Sequence, residues 1–436
     1  MKRVLYITYY FPPSGGSGVQ RGLKMVKYLP ASNWQPIVLT VDPDHAAYPI
    51  LDPALEDDLP TDTRITRTRS WDPYAMYASM MGRKKKDAVG VGFLGADHAS
   101  TKEKLARWVR ANLFLPDARV GWVRFARKAA LELAGDPGFD AIVSSGPPHS
   151  AHLIGRDIAK ATGKPWVADL RDAWPDAAYA EMLPTTRWAL KRDLSLRNRA
   201  LKRANACIAV TEDLASTMQN ATGAPFSVIR NGFDPEDFAG VEPMKSEGFT
   251  IVHTGSLAPA RDPEPIWNVL ANPENEARWP ELKLHFVGNV DPLVLDSARK
   301  AGAIHRVQHT PYVPHHEALA QTLGANLLLL PINRVNNAAG IVTGKIYEYL
   351  ASGRPVLGIG DPNGEAARLL SSSEAGKMLA WDDEEGMALE LDRHLEAWRT
   401  GQSLNGANPN TIQAFSRKEQ AASLAALLET LISPSA

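Results

Sequence analysis

Short apolar and β-branched runs recur along this chain, separated by segments with helical spacing. In the first half they fall at residues 4–10, 36–41, 64–68, 139–145, 166–170, 206–211 and 226–230. In the second half they fall at 249–254, 282–287, 307–312, 325–332, 355–359 and 378–381. Most are bounded by Gly, Pro or Asn. Several are apolar throughout, as in Asn326-Leu327-Leu328-Leu329-Leu330, which suits a strand buried on both faces of a parallel sheet. Between the runs, Val19, Leu23, Val26 and Leu29 keep helical spacing, and so do Ala421, Leu424, Leu428 and Leu431. Strand–helix alternation of this kind predicts an α/β chain with parallel sheets. Two such series predict two Rossmann-like, doubly wound domains.

Length supports the division, because 436 residues exceed the roughly 250–300 at which a single core stops growing. Asn231-Gly232 and Asp234-Pro235 are turn chemistry. The expected parts are therefore a first domain over 1–232, a second over 233–415, and a helix over 416–436 that packs back on the first. Charge follows the same line. Residues 1–232 hold 32 Lys+Arg against 23 Asp+Glu, a surplus of nine positive charges, and the remainder holds 16 against 26, a surplus of ten negative. A basic half attracts an anionic partner such as membrane lipid or a phosphate-bearing substrate; mutual attraction of the halves is the alternative. Nucleic acid is not the expected partner, since an aromatic ribonucleoprotein motif, zinc fingers and a basic tail are all missing. The single cysteine, Cys207, excludes a disulfide framework and a cysteine-rich zinc site. No run approaches the roughly 20 apolar residues that span a bilayer. The apolar stretch after Lys2-Arg3 meets Pro12-Pro13 too early for an export signal, so a soluble, cytoplasmic protein is expected.

Three glycine-bearing segments follow predicted strands. Gly15-Gly16-Ser17-Gly18 leads into the first helix, where backbone N–H groups favour an anion. Its spacing matches neither the dinucleotide nor the Walker fingerprint. Thr254-Gly255-Ser256 is followed by Arg261, which can reach a diphosphate or pair with Asp262. The third is the stretch from Ala339 through Thr343-Gly344-Lys345 to Glu348 and Arg354-Pro355. A helix beginning near Thr343 would bury Ile346, Tyr349 and Leu350 and place Lys345 and Glu348 on another face. Lys345 would then meet an anion and Glu348 a sugar diol; a plain surface ion pair is the alternative. Asp42-Pro43-Asp44 resembles a metal-binding Asp-x-Asp but sits where turn residues are expected, so no metal is expected.

The chain resembles the retaining glycosyltransferases of family 4, which have the two-Rossmann-domain GT-B fold. The resemblance lies in Tyr9-Tyr10-Phe11-Pro12-Pro13, in Asn231-Gly232-Phe233-Asp234, in Ser145-Gly146-Pro147-Pro148-His149-Ser150, in Asp169-Leu170-Arg171-Asp172, and above all in the stretch from Lys345 to Val356. It implies two domains facing each other across a cleft and a nucleoside-diphosphate sugar held mainly by the second. Lys345 and Arg261 would hold the diphosphate, Glu348 the ribose, and the backbone at Tyr312-Val313 the base. Gly255, Ser256, Thr343 and Gly344 would line the donor, with Gly15 and Gly16 from the first domain. His149 would contact the transferred sugar or donor phosphate, and Arg171 and Asp172 the acceptor side; for His149, a capping or core role is the alternative. Two departures stand out. Gly340 occupies the place of a family glutamate eight residues before Glu348, and Gly255-Ser256 that of a usual Gly-Arg pair.

The implied reaction is transfer of a sugar to an acceptor hydroxyl with retention, in cell-surface polysaccharide or lipopolysaccharide assembly, without a cofactor. The acceptor side is illuminated by Tyr74, Tyr77, Met81 and Arg83-Lys84-Lys85-Lys86, then by a basic amphipathic pattern over 102–112 with Leu105, Trp108 and Val109 on one face. Such a stretch predicts weak docking of residues 74–112 on an anionic membrane and a lipid-linked acceptor; a solvated helix face is the alternative. Rival readings are a nucleotide-sugar epimerase of the same plan and a non-catalytic sugar-nucleotide-binding subunit.

Overall fold

The computed structural model describes residues 1–48, 50–71, 101–135, 138–175, 184–402 and 404–433. The chain divides into two compact units, Met1–Arg230 with Arg417–Ala436, and Asn231–Ser416.

Among the described residues, the first unit is built on seven strands: β1 Lys2–Ile7, β2 Trp34–Val41, β3 Arg64–Thr68, β4 Ala141–Gly146, β5 Trp166–Leu170, β6 Ala206–Ala209 and β7 Phe226–Val228. Their order is β3-β2-β1-β4-β5-β6-β7, and every neighbouring pair is parallel. Alternation along β1 sends Leu5 and Ile7 to one face and Val4 and Tyr6 to the other. The first face is covered by Trp122, Ala126, Ile154 and Ile158. The second is covered by Met25 and Val26 together with Ala421, Leu424 and Leu428 of the last helix, Arg417–Ile432. That helix, last in the chain, therefore completes the core laid down by the first strand.

The second unit has six strands: β8 Phe249–Thr254, β9 Leu282–Val287, β10 Val307–Thr310, β11 Leu327–Pro331, β12 Val356–Ile359 and β13 Gly376–Leu379. The order β10-β9-β8-β11-β12-β13 repeats the doubly wound pattern, again all parallel. All five residues of β11 are buried, as a strand sandwiched by helices requires.

Thirteen apolar runs thus become thirteen strands, with shifted ends where a polar side chain takes over. The run at 206–211 stops pairing at Ala209, and Thr211 instead caps the next helix by accepting from Leu214 N at 3.2 Å. The last strand starts at Gly376, earlier than its apolar residues suggest. Asp42 accepts from Asp44 N at 2.9 Å and caps the short turn Pro43–His45.

In each sheet the chain winds outward in both directions from a central pair, β1/β4 and β8/β11. Loops leaving those strand ends splay apart, and ligands of open α/β sheets bind there.

Candidate functional site

In the second unit, Gly255 leaves β8 with φ +98, a conformation that favours glycine. Its N–H donates to Val287 O at 2.7 Å. The Lys345 side chain lies directly over it: a Cβ at 255 would stand 2.2 Å from Lys345 Cε and 2.7 Å from Nζ. Glycine here makes room for the lysine. The lysine opens the helix Lys345–Ala351, two residues later than the apolar pattern suggests, and Ile346, Tyr347, Tyr349 and Leu350 are its buried residues. Tyr349 ties the helix to β8 by accepting from Thr254 N at 2.9 Å. With only seven residues, this helix offers a small dipole, so side-chain charge dominates.

Arg261 ends the turn Pro259–Arg261, and Arg334 N donates to Ala260 O at 2.8 Å, holding that turn against the segment after β11. Arg261 Nε and Thr343 Oγ1 are buried without hydrogen-bond partners. Lys345 makes no hydrogen bond or ion pair among the described residues. Burial first, then the Arg261 guanidinium, pushes its ammonium down to about 8, and Glu348 only partly offsets them. Burial also lowers Arg261. Behind them His253 donates from Nδ1 to Leu329 O at 3.0 Å; burial, then Lys345, hold it down to about 3, so it is neutral. Two cations therefore converge beside Gly255 with little local neutralisation, an arrangement that stabilises an added dianion.

Glu348 lies one helical turn beyond Lys345. Its Oε1 is 3.2 Å from Nε2 of His315, and both side chains are partly exposed. Tyr312 is 67% exposed, enough to offer a ring face, and Val313 is half-buried. Ser256 and Gly344 are exposed. Gly340 lies in the turn Ala338–Gly340.

In the first unit, Gly16 has φ +89 and precedes helix Ser17–Tyr28. Gly15 is hemmed in: its N–H donates to Ile50 O at 2.9 Å, and a Cβ would stand 3.0 Å from Asp52 Cβ. Turn geometry and close packing account for both glycines. Arg171 is a clamp: it donates from Nε to Gly146 O at 3.2 Å, and from its two terminal nitrogens to Gly18 O and Pro147 O. It ties the glycine loop to the end of β4.

His149 precedes helix Ser150–Thr162 without capping it. It is 7% exposed, with its ring 5.0 Å from that of Trp174 at an interplanar angle of 2°. Nε2 donates to Ala173 O at 3.2 Å, and Nδ1 has no partner. Burial, then His152, keeps it neutral, well below its ordinary value. The cap is Asp117, which accepts from Ser150 N and Ser150 Oγ, both at 2.8 Å. His149 and Asp172 line a cavity of about 350 Å³ with Arg110, Phe114, Trp174 and Leu190. Asp193 lines it too; it accepts from Trp174 Nε1 at 2.9 Å, and burial raises its carboxyl to about 6. Asp117 and Asp193 have no sequence signal, since a lone carboxylate reads as surface charge and their partners Ser150 and Trp174 lie 33 and 19 residues away; Trp174 reads only as an apolar residue.

Residues 74–86, read above as the start of a membrane-facing stretch, lie outside the described residues. The helix Thr101–Leu113 is described: Leu105 is 62% exposed and Trp108 42%, while Ala111 and Asn112 are buried. On helix Arg187–Leu201, Trp188 is 56% exposed beside Arg192. No described helix is long and apolar enough to cross a membrane.

Residues 83–237 match the model of Glycosyltransferase Family 4. Among solved structures, sucrose-phosphate synthase from Thermosynechococcus elongatus is similar over 100% of both chains, at 14% identity and TM-score 0.64. HepE of Anabaena, solved with UDP and glucose, is similar over 99% of this chain and 100% of its own, at 15% identity and TM-score 0.62. A glycosyltransferase from Rickettsia africae is similar over 100% of this chain and 99% of its own, at 12% and 0.60. A comparison with curated proteins gave no match. The chain has the GT-B fold, with a glycosyltransferase family 4-like domain over part of its length.

Proposed function

We propose that this protein transfers a sugar from a nucleoside-diphosphate sugar to an acceptor hydroxyl, with retention at the anomeric carbon. One observation carries the reading: Lys345 lies over Gly255 beside Arg261, at the switch point of the second sheet. The diphosphate sits against these two cations, with Ser256, Thr343 and Gly344 around it. Glu348 accepts from the ribose hydroxyls, and the base lies along Tyr312 and Val313. The acceptor oxygen bonds to the anomeric carbon as the bond to the diphosphate breaks, and the acceptor proton passes to the leaving phosphate. Catalysis is positioning plus stabilisation of the departing charge.

The cavity beside His149 and Asp172 takes the acceptor. Its apolar lining and the exposed Leu105, Trp108 and Trp188 among basic residues favour an amphiphilic, lipid-linked acceptor presented at an anionic membrane, in cell-surface polysaccharide or lipopolysaccharide assembly. The protein is expected to float with anionic liposomes and not with neutral ones, and Trp108→Ala with Trp188→Ala to reduce the bound fraction. Equal recovery with both lipids would remove the membrane contact.

A thermal-shift panel of nucleoside diphosphates and their sugars tests the donor reading, since a ligand at 100 Kd adds about 2.7 kcal/mol to the folded state. At least one nucleoside diphosphate raises Tm. A flat panel overturns the reading, and isomerisation of the donor without acceptor would replace transferase by epimerase.

A further inference from the structure

We propose that His315 is a positioning residue that holds Glu348 away from Lys345, leaving the carboxylate for a ribose diol and the ammonium for phosphate. The inference rests on the donor reading above and adds a residue to it. Lys345 and Glu348 are three apart on one helix, a spacing at which opposite charges pair. Among the described residues they form no hydrogen bond or ion pair, and Glu348 only partly offsets the burial of Lys345. Glu348 instead takes His315, the first residue of helix His315–Gly324, with Nε2 3.2 Å from Oε1.

A carboxylate accepts only, so Nε2 carries the proton and donates. Both side chains are partly exposed, 42% and 34%, and an ion pair of that kind contributes little to stability. The fold does not need the contact; the orientation of Glu348 does. Without His315, Glu348 would swing back to Lys345, and each would neutralise the other. Arg261 and His253 also face Lys345, and neither is a carboxylate. Tyr349 also feels Glu348; burial raises it to about 12, so it stays neutral.

The test is calorimetric binding of the common nucleoside diphosphates and their 2′-deoxy counterparts to the full chain and to His315→Ala, His315→Gln and Glu348→Ala. The wild type should prefer the ribonucleotide by about tenfold or more, as a hydrogen bond to a charged group implies. His315→Ala should lose most of that preference. It should also move the pH at which affinity declines upward, because Lys345 gains Glu348 as a partner. His315→Gln, whose amide can donate to Oε1, should restore both. Wild-type behaviour of His315→Ala on both counts, with the preference lost in Glu348→Ala, overturns the role of His315 and leaves the donor site standing. A wild type that binds no nucleoside diphosphate overturns both.

Discussion

Replacing Lys345 by alanine is expected to lower sugar transfer by about 10²–10³-fold, the cost of removing one preorganised group from a developing negative charge. The fold should survive, because the lysine makes no hydrogen bond or ion pair among the described residues, and the helix it opens is anchored by Ile346, Tyr349 and Leu350. The expected signature is lost turnover with an unfolding midpoint that does not fall, and that rises below about pH 8 because a buried, unpaired charge is removed. Near-normal turnover would contradict the assignment.

The same residue sets a pH dependence. In the ligand-free protein its ammonium is pushed down to about 8 by burial and by Arg261. A bound diphosphate favours the charged form, so binding draws in a proton once the pH exceeds about 8. Affinity should be full below that value and fall above it, until the raised pKa of the bound state is passed. For the free protein the sign is the reverse of a salt-bridged lysine. The unfolded chain binds the proton more tightly, so this group costs stability below about 8, and the cost fades as pH rises toward its ordinary 10.5.

The second large effect is on stability. Arg21→Ala should destabilise the first unit by about 3–5 kcal/mol, because it strands a buried carboxylate. Arg21 is 1% exposed and Asp169 2%. The guanidinium reaches Asp169 Oδ2 from Nε at 2.9 Å and Oδ1 from Nη2 at 2.8 Å, and also donates to Ile229 O and Arg230 O, both at 3.0 Å. Ser145 Oγ adds a bond to Asp169 at 2.9 Å. One arginine thus fastens β5 to the last residues before the chain enters the second unit. Chemical denaturation, followed by a probe in the first unit such as Trp34 fluorescence, should show the shift. The double variant Arg21→Met with Asp169→Leu should be milder, since no charge is left unpaired. A single variant within 1 kcal/mol of wild type, on the scale of about 3–5, would contradict this role.

The sheets were legible because strands of a parallel sheet covered on both faces are rich in apolar and β-branched residues, and Gly, Pro and Asn mark where they stop. The last helix was legible from Ala421, Leu424 and Leu428, though only the structure shows Met25 and Val26 sharing their core. The candidates around Gly255 were legible as glycine next to charge. Less visible was what each side chain meets across the fold. Nothing in sequence announces that Lys345 lies on Gly255, that Arg171 is taken up by three backbone carbonyls, or that Glu348 takes a histidine 33 residues away. The carboxyls of Asp117 and Asp193 were hidden for the same reason: Asp117 caps a helix 33 residues away, and Asp193 accepts from Trp174, so nothing beside either in sequence shows that it is taken out of solvent.

The central claim is that a diphosphate docks on Lys345 and Arg261. Its most direct test is a crystal structure of the chain with the nucleoside diphosphate that raises its Tm most. Phosphate oxygens within hydrogen-bond distance of Lys345 Nζ and the Arg261 guanidinium, with ribose hydroxyls on Glu348, are the predicted result. A nucleotide bound elsewhere, with Lys345 untouched over Gly255, would contradict it.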